Sequence, residues 1–253
     1  MSTPSIPSTL STAPAATPRV IHLFVALCDN ASQGIVPVPA AIGDGDRPDA
    51  NLYWGCGDGV KSVFGRSPEW KLLQAAPVPG GVILERRVYR HTAKPDVWLV
   101  ADAYRGREIK QAVRAFLEAA AGRPADSATL ALKDGTALPL AAGAALAAYI
   151  GHNGLMDFEL PPEAAAAPPS AKPAIVLCCK SREFFAARLK RSGAAPLLGT
   201  TQFMYPGAFI LRDALNVWLA GKTPEAVRTA AAKAYAANQR ISVKAAEGVF
   251  CVP

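Results

Sequence analysis

The chain has 253 residues, 51% of them hydrophobic and 19% charged, with a formal net charge of +7; that is enough apolar material for one sizeable core or two small ones. Lys and Arg are scattered, with Arg86-Arg87 and Lys190-Arg191 the nearest things to clusters. No aromatic-basic interleaving in the sequence suggests a nucleic-acid groove, and a solvated basic surface is the better reading.

Five cysteines form no C-x2-C pair and only three histidines are present, which speaks against a structural zinc site. The odd cysteine count and the adjacent Cys178-Cys179 also speak against a secreted disulfide framework. The N-terminus has no basic segment followed by an apolar one, and no apolar run reaches membrane length. The expectation is a cytoplasmic protein without membrane, metal or cofactor, and with an oligomeric state left open.

Residues Met1 to Pro18 are Ser, Thr, Pro and Ala with little to bury, which predicts a disordered arm ahead of one α/β domain over residues 19–253. Val20 to Leu27 predicts the first strand, with His22 inside it as a core or sheet-face histidine. Ala31 to Asp49 is a long Gly/Pro/Asp-rich loop, and loops of this length in compact domains are often functional. Leu52 to Phe64 predicts a turn feeding a short helix near Asp58, with a second helix over Pro68 to Gln74. Gly55, Gly57 and Gly59 suggest a phosphate loop, but the Lys-Ser/Thr ending of a Walker loop is missing, and a plain loop is the competing reading.

Val82 to Tyr89 reads as a half-exposed strand and Val97 to Ala101 as a buried one ending at Asp102. Ile109, Val113, Phe116 and Leu117 recur at helical spacing, so Arg107 to Ala121 is a helix closed by Gly122-Arg123-Pro124. Thr129 to Leu138 predicts a β-hairpin with Lys133-Asp134-Gly135 at its tip. Further on, the sequence predicts a helix over Arg182 to Arg191, a strand over Leu197 to Met204 and a helix over Pro206 to Leu219. The last helix, Thr223 to Asn238, opens with Thr223 as N-cap and Pro224 at its first position. Strands alternating with helices predict a three-layer α/β sandwich with a mostly parallel central sheet.

Two short apolar runs carry the chemistry. Leu146 to Ile150 ends at Gly151-His152-Asn153-Gly154, and Ala174 to Leu177 ends at Cys178-Cys179-Lys180-Ser181; a Pro- and Ala-rich loop, Pro161 to Pro173, joins them. Apolar runs of this kind bounded by Gly or Pro read as buried strands of a parallel sheet. Functional side chains collect at the carboxyl ends of such strands. If the two strands are neighbours, His152 and Cys179 meet the needs of a thiol nucleophile and its base. Side chains alternate along a strand, so only one of Cys178 and Cys179 faces the site. The start of the following helix, with Lys180 and Arg182, favours a thiolate at Cys179.

The paired blocks resemble the caspase-like cysteine peptidases, the group of caspases, metacaspases, legumains and gingipains. Lys172 to Ser181 is similar to the caspase strand ending in Gln-Ala-Cys-Arg-Gly, with Cys179 at the nucleophile position and Cys178 at the small residue before it. The resemblance implies an endopeptidase acting on a protein or peptide through a thioester. It implies an oxyanion hole made of the Cys179 backbone N–H with that of Asn153 or Gly154. It also implies that one or two charged groups select the residue before the cleaved bond. Asp29, after the first strand, and Asp157 are the candidates, and carboxylates there would favour Lys or Arg; the alternative for Asp29 is a turn cap with Asn30. Asn153 and Ser181 stand where the family carries glycine. A catalytically silent caspase-like interaction module is therefore the competing function, and a nucleotide-binding protein using the Gly55–Gly59 loop is a third.

Overall fold

The computed structural model describes residues 17–162 and 171–253. All but the last two residues of the expected N-terminal arm, and residues 163–170 of the proline-rich loop, lie outside these. The elements in chain order begin with β1 (Arg19–Ala26), α1 (Val60–Arg66), β2 (Trp70–Ala76), β3 (Ile83–His91), β4 (Val97–Tyr104) and α2 (Ile109–Ala121). The hairpin β5 (Ser127–Ala131) and β6 (Ala137–Ala141) follows, then β7 (Leu146–Ile150), β8 (Pro173–Leu177), α3 (Ser181–Arg191) and β9 (Ala195–Thr200). The chain closes with α4 (Ala208–Leu219), α5 (Pro224–Gln239), α6 (Val243–Glu247) and β10 (Phe250–Cys251).

Eight strands form one sheet in the order β10-β9-β8-β7-β1-β4-β3-β2. β4, β1, β7, β8 and β9 run parallel, while β10, β3 and β2 join antiparallel at the two edges. The molecule is thus α/β with a large, mostly parallel central sheet flanked by helices, an arrangement compatible with the expected sandwich.

The central strands read as continuous apolar runs because both faces are covered. Ile21, Leu23 and Val25 of β1, with Leu146, Ala148 and Ile150 of β7, face the cluster that contains α1, α4 and α5. The intervening Phe24, Ala26, Ala147 and Tyr149 face α2 and α3. On that second side Phe116 of α2 sits among Phe24, Tyr149 and Phe185, with ring centroids 6.2, 5.8 and 6.2 Å away. Each such fully buried ring stabilises the fold by roughly 1.5–3 kcal/mol through area removed from water.

Helix boundaries follow local chemistry. α2 stops where Gly122 turns left-handed at φ 67°, a conformation that costs glycine nothing. α5 begins with the Thr223 side chain accepting the Ala226 N–H and Pro224 in the first turn. No helix among the described residues is long and apolar enough to cross a membrane.

One predicted element is corrected. Pro68 to Gln74 is not a helix, because Trp70–Ala76 forms β2, antiparallel to β3. Lys, Leu, Gln and Ala carry good helix propensity, but the open edge of β3 offers a full ladder of backbone partners. Trp70 anchors the strand by packing edge-on against Phe64 and His91. β4 also runs two residues past Asp102. That carboxylate lies inside the sheet, buried and bound by His22 Nε2 at 3.0 Å and by Arg86 at 2.6 and 2.7 Å.

Candidate functional site

The sheet topology itself marks a place for function. From β1 the chain first builds β2, β3 and β4 on one side, ending with β4 beside β1, and later β7, β8 and β9 on the other. Ligands of open α/β sheets bind outside the carboxyl ends of the strands at such a reversal. The segments leaving β1, β7, β8 and β9 meet there around a cavity of about 510 Å³.

His152 and Cys179 both line this cavity. Their meeting follows from register: Ile150 of β7 stands opposite Leu177 of the parallel β8, and each functional residue lies two positions beyond. Neighbouring strands are only about 4.8 Å apart. Cys178 points to the opposite face, wholly buried between the sheet and α2 and α3, where burial drives its thiol well above the usual range. Cys179 is half-buried, with its sulfur 3.7 Å from the Met204 carbonyl.

The histidine is held at three points. Its Nε2 lies 2.8 Å from Asp157 Oδ2, and its carbonyl accepts from the Tyr149 hydroxyl at 2.8 Å and the Gly154 N–H at 3.0 Å. Asp157 follows the 3-10 turn Gly154–Met156 and also accepts the Gly34 N–H at 2.8 Å. With Nε2–H directed at a carboxylate, Nδ1 is the unprotonated ring nitrogen.

Asn153 is completely buried, and its side-chain amide donates to the Cys179 carbonyl at 2.7 Å. Its Oδ1 has no partner among the described residues. Among the described residues no acceptor pairs with the backbone N–H of Cys179 or of Asn153, whereas the Gly154 N–H is taken by His152. The β8–α3 turn is rigid. Lys180 is left-handed at φ 49°, and the Ser181 N–H and hydroxyl are tied to Thr200 Oγ1 at 3.0 Å and the Val176 carbonyl at 3.0 Å.

Asp29 stays outside the cavity. Its carboxylate accepts the Ala31 N–H at 2.9 Å and the Ser32 hydroxyl at 2.6 Å, which caps the turn leaving β1. Residues that the sequence did not single out build the walls instead. Asn51, fully buried, pairs with both the N–H and the carbonyl of Cys28 at 3.0 and 2.8 Å. It thereby imitates a further strand residue and brings Leu52 and Tyr53 to the cavity. Phe203, Met204 and Tyr205 come from the loop after β9, and Tyr235 comes from α5. An asparagine in a Gly/Pro/Asp-rich loop carries no periodic signal, so nothing local distinguishes Asn51.

Packing explains two of the three glycines of the Gly55–Gly59 loop, while a Cβ on Gly57 would meet open space. A Cβ on Gly55 would meet the Asp49 carbonyl at 2.0 Å, and one on Gly59 the Trp54 carbonyl at 2.4 Å; both are places where backbone approaches backbone. The lysine that follows the loop, Lys61 in the first turn of α1, is paired with Asp49. Among the described residues no group of three His, Cys, Asp or Glu side chains is placed to hold a metal ion. No protein-family model, curated protein or solved structure matches the chain, so its function is read from the geometry of the site.

Proposed function

We propose that the protein is a cysteine peptidase of caspase-like fold, with Cys179 as nucleophile, His152 as base and Asp157 orienting the histidine. The observation that carries this reading is the convergence of Cys179 and an Asp157-bound His152 on one cavity at the ends of adjacent parallel strands. A nucleophile beside a base that a third group holds in place is the recurring arrangement of covalent hydrolases.

In the proposed reaction the Cys179 sulfur attacks the scissile carbonyl carbon as its proton passes to His152 Nδ1. The negative charge on the carbonyl oxygen meets the N–H groups of Cys179 and Asn153, which among the described residues have no other acceptor. His152 then returns the proton to the departing amine, the C–N bond breaks and a thioester remains. Water, deprotonated by His152, attacks the thioester; sulfur leaves and is reprotonated, and the acid is released. Asp157 stabilises the imidazolium in both steps and, by holding Nε2–H, leaves Nδ1 as the nitrogen that takes the proton.

The competing reading, a silent interaction module, is favoured by one observation: the Cys179 sulfur is directed at the Met204 carbonyl. Catalytic hydrogen bonds are often long before substrate binds, which leaves the enzymatic reading the stronger. Iodoacetamide labelling decides between them. Cys179→Ala is expected to remove the reactive thiol and any peptide hydrolysis, and Cys178→Ala to retain both. His152→Ala is expected to slow labelling at Cys179 about 100-fold. Equal labelling of the two cysteines, or labelling indifferent to His152, counts against the peptidase.

A further inference from the structure

The cavity beside Cys179 holds no countercharge for a charged substrate. Among the described residues no Asp, Glu, Lys or Arg lines it, and His152 is its one basic side chain. The carboxylates around it are committed elsewhere: Asp157 to His152 and the Gly34 N–H, Asp29 to its own turn, and Asp58, behind the wall, to the Tyr205 hydroxyl and the Asn238 side-chain amide at 3.3 and 3.1 Å. The walls are apolar and aromatic, with Ile35 and Leu52 on one side and Met204, Tyr205 and Tyr235 on the other.

The mouth carries the same character. Val36, Phe203 and Met156 are 87%, 64% and 40% exposed, although all three border the cavity. Large apolar side chains gathered around a concave opening mark a binding site rather than chance exposure. The Lys180 ammonium stacks on Phe203, 5.0 Å from its ring centre, outside the set of residues that line the cavity.

We infer that this cavity binds the uncharged, large apolar side chain, aromatic or long aliphatic, of the residue that supplies the attacked carbonyl. The inference rests on the peptidase reading and names its substrate class. The acyl residue is bonded to the Cys179 sulfur from the first attack until water cleaves the thioester, so the cavity that this sulfur lines is filled by the acyl side. A volume of about 510 Å³ accommodates a benzyl or isobutyl group with part of a neighbouring residue. A guanidinium or ammonium would lose its hydration and meet no carboxylate among the described lining residues, and a carboxylate would meet no Lys or Arg there. This replaces the basic preference that Asp29 and Asp157 suggested in the sequence.

The test uses the full chain and peptidyl coumarin amides that differ only in the acyl residue: Phe, Leu, Ala, Arg or Asp. kcat/KM for Phe and Leu is expected to exceed that for Arg and Asp by about 100-fold, with Ala at least about tenfold below Leu. Preference for Arg or Asp, or equal rates for Ala and Phe, overturns the inference. Val36→Asp, at a position exposed enough to leave the fold intact, is expected to raise the Arg-to-Phe ratio about tenfold; an unchanged ratio overturns the placement of the side chain at this mouth. Binding of the same peptides to Cys179→Ala, followed by coumarin fluorescence polarisation, separates the two readings. Phe peptides binding more tightly than Arg peptides, with no hydrolysis by the parent protein, refutes the peptidase but upholds the apolar site. Failure of Phe peptides to bind overturns the apolar site itself.

Discussion

Asp157 shows how much one contact changes a residue's meaning. In the sequence, five positions after a histidine, it is a candidate for selecting a basic substrate residue; in the structure its Oδ2 is 2.8 Å from His152 Nε2 and takes the Gly34 N–H at the same distance. Replacing it with Asn keeps the size but removes the charge that selects the histidine tautomer and stabilises the imidazolium. Asp157→Asn is expected to lower kcat on a Phe-type substrate about 100-fold with KM nearly unchanged. Unfolding by denaturant should shift little. A pure KM effect would instead identify Asp157 as a substrate contact. At the same scale, Cys178 and Cys179 are adjacent and chemically identical, and only the alternation of the strand separates a core thiol from a cavity thiol.

At the scale of elements, the site depends on how loops are tied to strand ends. Asn51 pairs with the Cys28 N–H and carbonyl, accepts the Tyr53 N–H at 3.1 Å and donates to the Asp44 carbonyl at 3.0 Å. Removing that amide leaves the buried Cys28 N–H without its acceptor and the Cys28 carbonyl without this donor. Asn51→Ala is expected to cost about 2 kcal/mol and, in hydrogen exchange, to speed opening of residues 44–54 while β1 stays protected. Unchanged exchange over that segment would show that packing alone holds the loop. β2 teaches the complementary lesson, because its sequence prefers a helix and the vacant edge of β3 decides otherwise.

At the scale of the whole molecule, a buried polar network joins the sheet to the hairpin that covers it. Asp102 receives His22 Nε2 and Arg86, and His22 Nδ1 accepts the Ala141 N–H of β6 at 3.0 Å. Burial alone would raise the Asp102 carboxyl, but its hydrogen bonds from Arg86 and His22 outweigh that and hold it below its ordinary value of 3.8. A carboxyl depressed in the folded state stabilises the fold fully above its unfolded value, and that contribution is lost as pH falls through the depressed one. Asp102→Asn is therefore expected to destabilise the protein by about 3 kcal/mol at neutral pH, because Arg86 loses its charged partner. As pH falls below that ordinary value of 3.8, the gap between variant and parent should narrow in urea unfolding. A gap independent of pH would assign the loss to packing rather than to charge.

What the sequence determined by itself was local. Apolar runs of strand length, the helical spacing of Ile109, Val113, Phe116 and Leu117, and the Thr223-Pro224 cap fix elements through contacts within a few residues, and the structure has strands or helices at those places. The same local reading put His152 and Cys179 just past strand ends. Only the tertiary structure decided that β7 and β8 are neighbours, that β2 is a strand, that Asp157 faces the histidine and Asp29 its own turn, and that the cavity beside Cys179 lacks charge. Each of these is a contact between segments far apart in the chain. Its free energy depends on which partner the sheet order brings within a few ångströms, and no local pattern of residues encodes that.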